Sequence, residues 1–124
     1  MSLRLRNISI DCTDPFTLAT FWSAALGHPL HPDDAPGDPQ ALLRLPEGTA
    51  LLFLRVPEPK TTKNRLHLDV CPTPHTTRDH QVERLTTLGA RLVRDHRRTD
   101  STGWALMHDP EGNEFCVTLP SDQI

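Results

Sequence analysis

Polar side chains that can do chemistry recur at every second position in several segments of this 124-residue chain. His67 and Asp69 alternate with apolar residues near the middle, and Glu114 and Cys116 do so near the end. A period of two places such side chains on one face of a β-strand. An imidazole titrates near neutral pH and serves as general acid or base, and a neighbouring carboxylate can orient it. The spacing therefore predicts two strands, one over residues 65–71 and one that begins at Glu114, that each present reactive groups.

A third segment near the start repeats the pattern. Asn7, Ser9 and Asp11 share one face of a strand predicted over residues 3–12, while Ile8 and Ile10 occupy the other. These polar side chains are candidates for ligand binding. For all three segments, a polar strand face that simply meets water is the alternative.

Two amphipathic helices are predicted between the strands. Asp14 is a suitable N-cap, Pro15 fits the first helical position, and Gly27 ends that helix. The second helix begins with a capping hydroxyl near Thr76 or Thr77 and ends at Gly89.

The order of these elements repeats. Each half reads as a strand, a helix that ends in Leu-Gly, a loop or short strand (near Leu30 in the first half), and two strands joined by a tight turn. The predicted domain is a single one over residues 1–124, built from modules at about 1–58 and 63–122 with a linker at about 57–64. We expect an α+β fold in which tandem βαβββ modules form a curled mixed sheet, with a concave ligand cleft and helices outside.

Composition excludes several classes of function. The chain is 36% hydrophobic and 23% charged with a net charge of −3, which gives no electrostatic reason to expect nucleic acid or an anionic membrane as partner. No apolar run approaches the roughly 20 residues that span a bilayer, and a cytoplasmic location is expected. Cys12, Cys71 and Cys116 lack the spacing of a structural zinc site or a disulfide framework, so free thiols are expected.

The motifs in this order resemble those of the vicinal oxygen chelate superfamily, and most closely its small glyoxalase-like and bleomycin-resistance-like proteins. The resemblance covers nearly the whole chain. It rests on Asn7-Ile8-Ser9-Ile10-Asp11, Asp14-Pro15, Phe21-Trp22, Ala25-Leu26-Gly27, Arg65-Leu66-His67-Leu68-Asp69, Leu88-Gly89-Ala90 and the Asp109–Val117 segment, which opens with Asp-Pro-Glu-Gly-Asn.

The resemblance implies where a metal would bind. Metal-dependent members hold a divalent ion with side chains from the first and last strands of each module, and the corresponding positions here are Asn7, His67 and Cys116. The fourth position falls near Leu52–Leu54, which offers no ligand. The family site is therefore expected to be incomplete, although Glu114 could substitute as a ligand and a Zn, Ni, Mn or Fe ion stays possible. The resemblance also implies a homodimer.

These considerations assign roles to particular residues. His67 and Glu114 are the candidate catalytic residues, and the principal ligands if a metal binds. Six further residues are candidates for ligand binding: Asn7, Ser9, Asp11, Asp69, Trp104 and Cys116. For Trp104 and Cys116, simple packing in the core is the alternative.

A basic cluster accompanies these candidates. It consists of Arg94, Arg97 and Arg98 with His96, in or beside a predicted loop. A solvated surface and an anion-recognition loop are both consistent with it.

Three functions remain open. The favoured one is a glyoxalase-like protein that binds a small organic ligand without a complete metal site, either as a resistance protein or as a metal-independent lyase or isomerase. The second is a metal-dependent lyase, isomerase or dioxygenase of the superfamily, and the third is a non-catalytic structural or regulatory module.

Overall fold

The computed structural model describes residues 2–120, which divide into two compact units, one up to Lys60 and the other from Thr61 onward. The first unit contains β1 (Asn7–Cys12), α1 (Pro15–Leu26), β2 (Gln40–Arg44) and β3 (Ala50–Arg55). Its sheet has the order β1-β3-β2, with β1 parallel and β2 antiparallel to β3.

Helix α1 is fixed at both ends by the residues that the sequence indicates. The Asp14 carboxylate accepts hydrogen bonds from the Thr17 amide at 3.3 Å and the Thr17 hydroxyl at 2.7 Å. Gly27 ends the helix in the left-handed region, at φ 75°. The inner face of the helix buries Leu18 and Trp22 almost completely, as expected for the apolar stripe of a surface helix.

The second unit contains β4 (Leu68–Val70), α2 (Arg78–Leu88), β5 (Arg91–Asp95), β6 (Ala105–His108) and β7 (Glu114–Val117). Its sheet has the order β4-β7-β6-β5. Strand β4 is parallel to β7, and the other neighbours are antiparallel. Of the two candidate threonines it is Thr77 that caps α2, by accepting a hydrogen bond from the His80 amide at 3.1 Å.

The register of this second sheet separates its two faces. Phe115 and Met107 are paired across β7 and β6 and are buried, as are Val82 and Leu85 of α2. The opposite face carries Cys116 of β7, because side chains alternate along a strand. The helix therefore leaves one sheet face available for a site.

The α+β class and the mixed sheets are confirmed, but the predicted short strand near Leu30 is wrong. Residues 28–31 have no strand assignment, and the His31 amide makes a single long hydrogen bond of 3.4 Å to the Leu42 carbonyl oxygen. Pro29 and Pro32 lack the amide hydrogens that a strand needs. The first module is therefore βαββ in the structure.

The strand bounds also differ from the prediction. Strand β1 begins at Asn7 and not at Leu3, and β4 begins at Leu68 and not at Arg65. His67 and Trp104 consequently lie immediately before β4 and β6, where they are not held by ladder hydrogen bonds of those strands. Within residues 2–120, no helix is long and apolar enough to cross a membrane.

Gly103 is the residue at which the β5–β6 loop depends most on the absence of a side chain. Its φ is 86°, and a Cβ there would clash with the His96 carbonyl oxygen. Gly112 has φ 85° but open space around the same position.

Gly112→Ala should reduce the free energy of unfolding by about 1–2 kcal/mol from backbone strain alone. Gly103→Ala should cost clearly more, as measured by urea unfolding of both variants; equal costs would contradict the clash.

Candidate functional site

Three chemically reactive side chains converge on the open face of the second sheet. The ligand atoms of His67, Asp69 and Cys116 all lie within 4.8 Å of one another. The parallel register pairs Asp69 directly with Cys116, so both side chains point to the same side. His67, two residues before Asp69, joins them because side chains alternate along the chain. The structure thus brings together three of the residues that the sequence selects.

His67 and Asp69 form a hydrogen-bonded pair. The His67 Nδ1 lies 3.2 Å from the Asp69 Oδ1, and the two side chains are 40% and 56% exposed. In the tautomer that protonates Nδ1, the ring donates to the carboxylate and leaves Nε2 as a base. The pair is therefore able to accept a proton from a ligand and to stabilise the resulting imidazolium.

Cys116 is buried beside this pair. Burial raises the pKa of the thiol, and the charge of Asp69 and a hydrogen bond to it raise that pKa further. The positive charge of Lys63 opposes these effects. At neutral pH the group is a thiol, so it is a hydrogen-bond donor and a weak nucleophile.

A cleft of about 650 Å³ opens around the three groups. Its far wall comes from β5, β6 and their connection, and it includes Trp104 and His96. These two rings stack at a centroid distance of 4.6 Å, and Trp104 remains 40% exposed. Trp104 thus faces the cleft, and packing in the core does not account for it.

Glu114, the second predicted catalytic residue, does not line this cleft. Its carboxylate is buried, with one oxygen 2.7 Å from the Asn64 amide that donates to it and the other 3.1 Å from the His108 Nε2. Because Asn64 adjoins Lys63, the geometry makes Glu114 an anchor for the segment that leads into the cleft. A catalytic role for Glu114 stays a prediction.

His108 was not identified from the sequence as a partner of Glu114. It pairs with Glu114 across the hairpin, and its Nδ1 lies 3.1 Å from the Arg91 guanidinium. The signal was present, since His108 and Glu114 flank the Asp109–Asn113 turn symmetrically, and residues that flank a tight turn face each other.

The other candidates from the first segment belong to the first unit. Asn7, Ser9 and Asp11 lie on β1, and the Asn7 side-chain amide donates a 3.0 Å hydrogen bond to the Ser9 hydroxyl. Asp11 is exposed. Their role in ligand binding stays a prediction.

The basic cluster separates into two parts. Arg97 is held in ion pairs with Asp95 at 2.9 Å and Asp79 at 3.1 Å, and Arg98 is exposed outside the cleft. Arg94 lines the cleft. His96 also lines the cleft, so the anion-recognition alternative concerns Arg94 and His96.

The donor set also fits a divalent metal ion. An imidazole, a carboxylate and a thiol suit zinc, and three protein ligands with an open position are typical of catalytic zinc sites. Ligand atoms around tetrahedral zinc lie about 3.5 Å apart. The observed spacing of up to 4.8 Å therefore needs only a modest contraction. Binding also requires the thiol to lose its proton, which makes affinity rise with pH.

Comparison with known proteins defines the class. The profile of the glyoxalase-like domain family matches residues 7–118, so the chain belongs to this family, within the vicinal oxygen chelate superfamily. No curated protein matches the sequence.

Solved structures share the fold at low sequence identity. A glyoxalase/bleomycin resistance protein/dioxygenase family enzyme from Burkholderia phytofirmans PsJN is 18% identical, with a TM-score of 0.74 over 94% of this chain and 98% of that one. A possible glyoxalase from Bacillus cereus is 15% identical, with a TM-score of 0.71 over 94% and 99%.

The fosfomycin resistance protein FosX from Listeria monocytogenes is a third structure of this fold. A mutant of it, in complex with Mn(II) and 1S,2S-dihydroxypropylphosphonic acid, is 14% identical, with a TM-score of 0.72 over 99% of this chain and 95% of that one.

The raised pKa of Cys116 depends in part on Asp69, and this is testable. Asp69→Asn removes a negative charge beside the thiol, which should lower its pKa. The pH midpoint of Cys116 alkylation by iodoacetamide, followed by peptide mass spectrometry, should move to lower pH.

The matched control is Asp100→Asn, which neutralises an exposed carboxylate that does not line the cleft. This variant should leave the midpoint unchanged. An unmoved midpoint in Asp69→Asn would show that Asp69 does not act on the thiol.

Proposed function

We propose that this protein binds a small organic ligand in the cleft of its second sheet, through His67, Asp69 and Cys116. It acts as a binding or resistance protein, or as a metal-independent lyase or isomerase. The observation that carries the proposal is the convergence of these three groups within 4.8 Å at the cleft with an exposed aromatic wall. A cleft with a few convergent polar groups is the usual form of a small-molecule site.

The chemistry follows from the arrangement. His67 Nε2 would take a proton from an acidic position of the ligand, and Asp69 would stabilise the positive charge that the ring gains. The Cys116 thiol would exchange its hydrogen bond to Asp69 for one to a ligand oxygen. His67 and Cys116 then each supply one contact to the ligand, and Asp69 positions the His67 ring.

A thermal-shift screen of aromatic metabolites and antibiotics tests the proposal. Ligands that stabilise the wild type should bind His67→Ala about tenfold more weakly, because a hydrogen bond to a charged or polarised group is lost. His80→Ala, which removes an exposed histidine of α2, should bind as the wild type does. If ligands stabilise the wild type and His67→Ala equally, they bind elsewhere. If no compound in the screen stabilises the protein, the non-catalytic module is favoured.

A divalent metal ion at the same three side chains is the second candidate, favoured by the donor geometry. His67, Asp69 and Cys116 would hold the ion, which would supply a Lewis acid and an acidic bound water. The protein would then belong with the metal-dependent lyases, isomerases or dioxygenases of the superfamily. FosX was solved with Mn(II), which supports the test of manganese beside zinc, nickel and iron.

Calorimetric titration with Zn²⁺ in buffers of different ionisation enthalpy distinguishes these candidates. A site that uses Cys116 should release about one proton at neutral pH, since the raised pKa keeps the thiol protonated before binding. Cys116→Ser should lose both the affinity and the proton release, while Cys71→Ser should keep both, because Cys71 is exposed and outside the metal-ligand group. Equal binding by both variants would exclude the site.

The homodimer that the family resemblance implies and the cytoplasmic location expected from the sequence stay predictions. Light scattering on the purified protein measures its oligomeric state directly.

A further inference from the structure

A β-bulge in β5 changes which side chains face the cleft. Leu92 pairs with Met107 and Arg94 pairs with Leu106, so Val93 is the extra residue between them. Without the bulge, strict alternation would turn Arg94 to the face that Met107 shares with α2. With it, Val93, Arg94 and His96 all line the cleft. Bulges that re-aim a side chain in this way are common beside functional sites.

Arg94 differs from Arg91 and Arg97 in having no partner among the described residues. Within residues 2–120, its guanidinium makes no hydrogen bond or ion pair. Arg91 and Arg97 are held by His108 and by Asp95, respectively. The bulge thus places the unpaired guanidinium of Arg94 on the cleft wall.

The charges along the cleft are unbalanced. Lys63 and Arg94 are cations, whereas Asp69 is the sole carboxylate among the described lining residues, and it is paired with His67. This excess of positive charge occurs in a chain whose net charge is −3. Such a cleft attracts an anionic ligand, and a guanidinium binds a carboxylate with two parallel hydrogen bonds.

The remaining wall is apolar and aromatic. Trp104, 40% exposed, is supported by the stacked ring of His96, and Val93 and Leu106 adjoin it. A supported, part-exposed indole presents a flat surface on which another ring can stack. The wall therefore suits a planar ring more than a flexible polar chain.

We propose that the ligand is a planar aromatic carboxylate, whose ring packs on Trp104 and whose carboxylate binds Arg94. This inference rests on the proposed function, because it names the class of ligand for the same cleft. Arg94 would set specificity, while His67 and Asp69 face the reactive part of the molecule.

Matched probes test the class of ligand. Benzoate, 2-naphthoate and indole-3-acetate are titrated against the intact protein by calorimetry, each beside its neutral amide. The carboxylates should bind at least about tenfold more tightly than the amides, as expected for a charge-assisted bidentate contact. Trp104→Leu should weaken both members of each pair.

Matched variants test the role of Arg94 in carboxylate binding. Arg94→Gln should weaken carboxylate binding by about tenfold and leave amide binding unchanged, and Arg94→Lys should restore part of the difference. Arg98→Gln is the control, because it removes the same charge from an exposed position of the same hairpin outside the cleft. Circular dichroism confirms that each variant is folded.

Three results would overturn the inference: equal binding of acids and amides, equal effects of Arg94→Gln and Arg98→Gln, or no binding of any carboxylate. The proposed function is judged separately, by the screened ligands that depend on His67. If such ligands exist and are not aromatic carboxylates, the proposed function stands and this inference fails.

Discussion

The site depends on the parallel pairing of β4 with β7. This pairing puts Asp69 opposite Cys116, and it involves only the three residues of β4. A shift by one residue would turn Asp69 to the opposite face and disperse the cluster, since side chains alternate with a period of two. Register is protected because the other face of the same strands is apolar: Leu68 pairs with Phe115 and Val70 with Val117. Packing of the apolar face thus fixes the positions of Asp69 and Cys116 on the opposite face of the sheet.

A second set of interactions holds the cleft wall in place. The buried Arg78 donates from Nη1 to the carbonyl oxygens of Ser101, Thr102 and Gly103, at 3.3, 2.9 and 2.8 Å. Arg97 links Asp95 to Asp79 of α2 and lowers the pKa of Asp95 to about 2, mainly by a side-chain hydrogen bond. Both arginines therefore fasten the loop before Trp104 to the start of α2, which gives the aromatic wall a defined position.

The fold is shared with proteins of several activities, and this limits what similarity conveys. Neighbours at 14–18% identity establish the architecture alone. The same architecture hosts unrelated chemistries, because function depends on the side chains placed on it. For this chain those side chains are an imidazole, a carboxylate and a thiol, beside the guanidinium of Arg94 and an exposed indole.

The sequence by itself determined the local elements and the candidate side chains. Helix capping at Asp14 and Thr77 depends only on residues close in sequence. The same holds for the period of two around His67 and Cys116. Both features can therefore be predicted from the sequence. The family resemblance also selected His67 and Cys116 from opposite ends of the second module. Only the tertiary structure decided that Asp69 completes their group and that Glu114 instead pairs with His108 and Asn64. Strand register, the bulge at Val93 and the partners of each arginine arise from contacts between residues distant in sequence, and no local pattern encodes them.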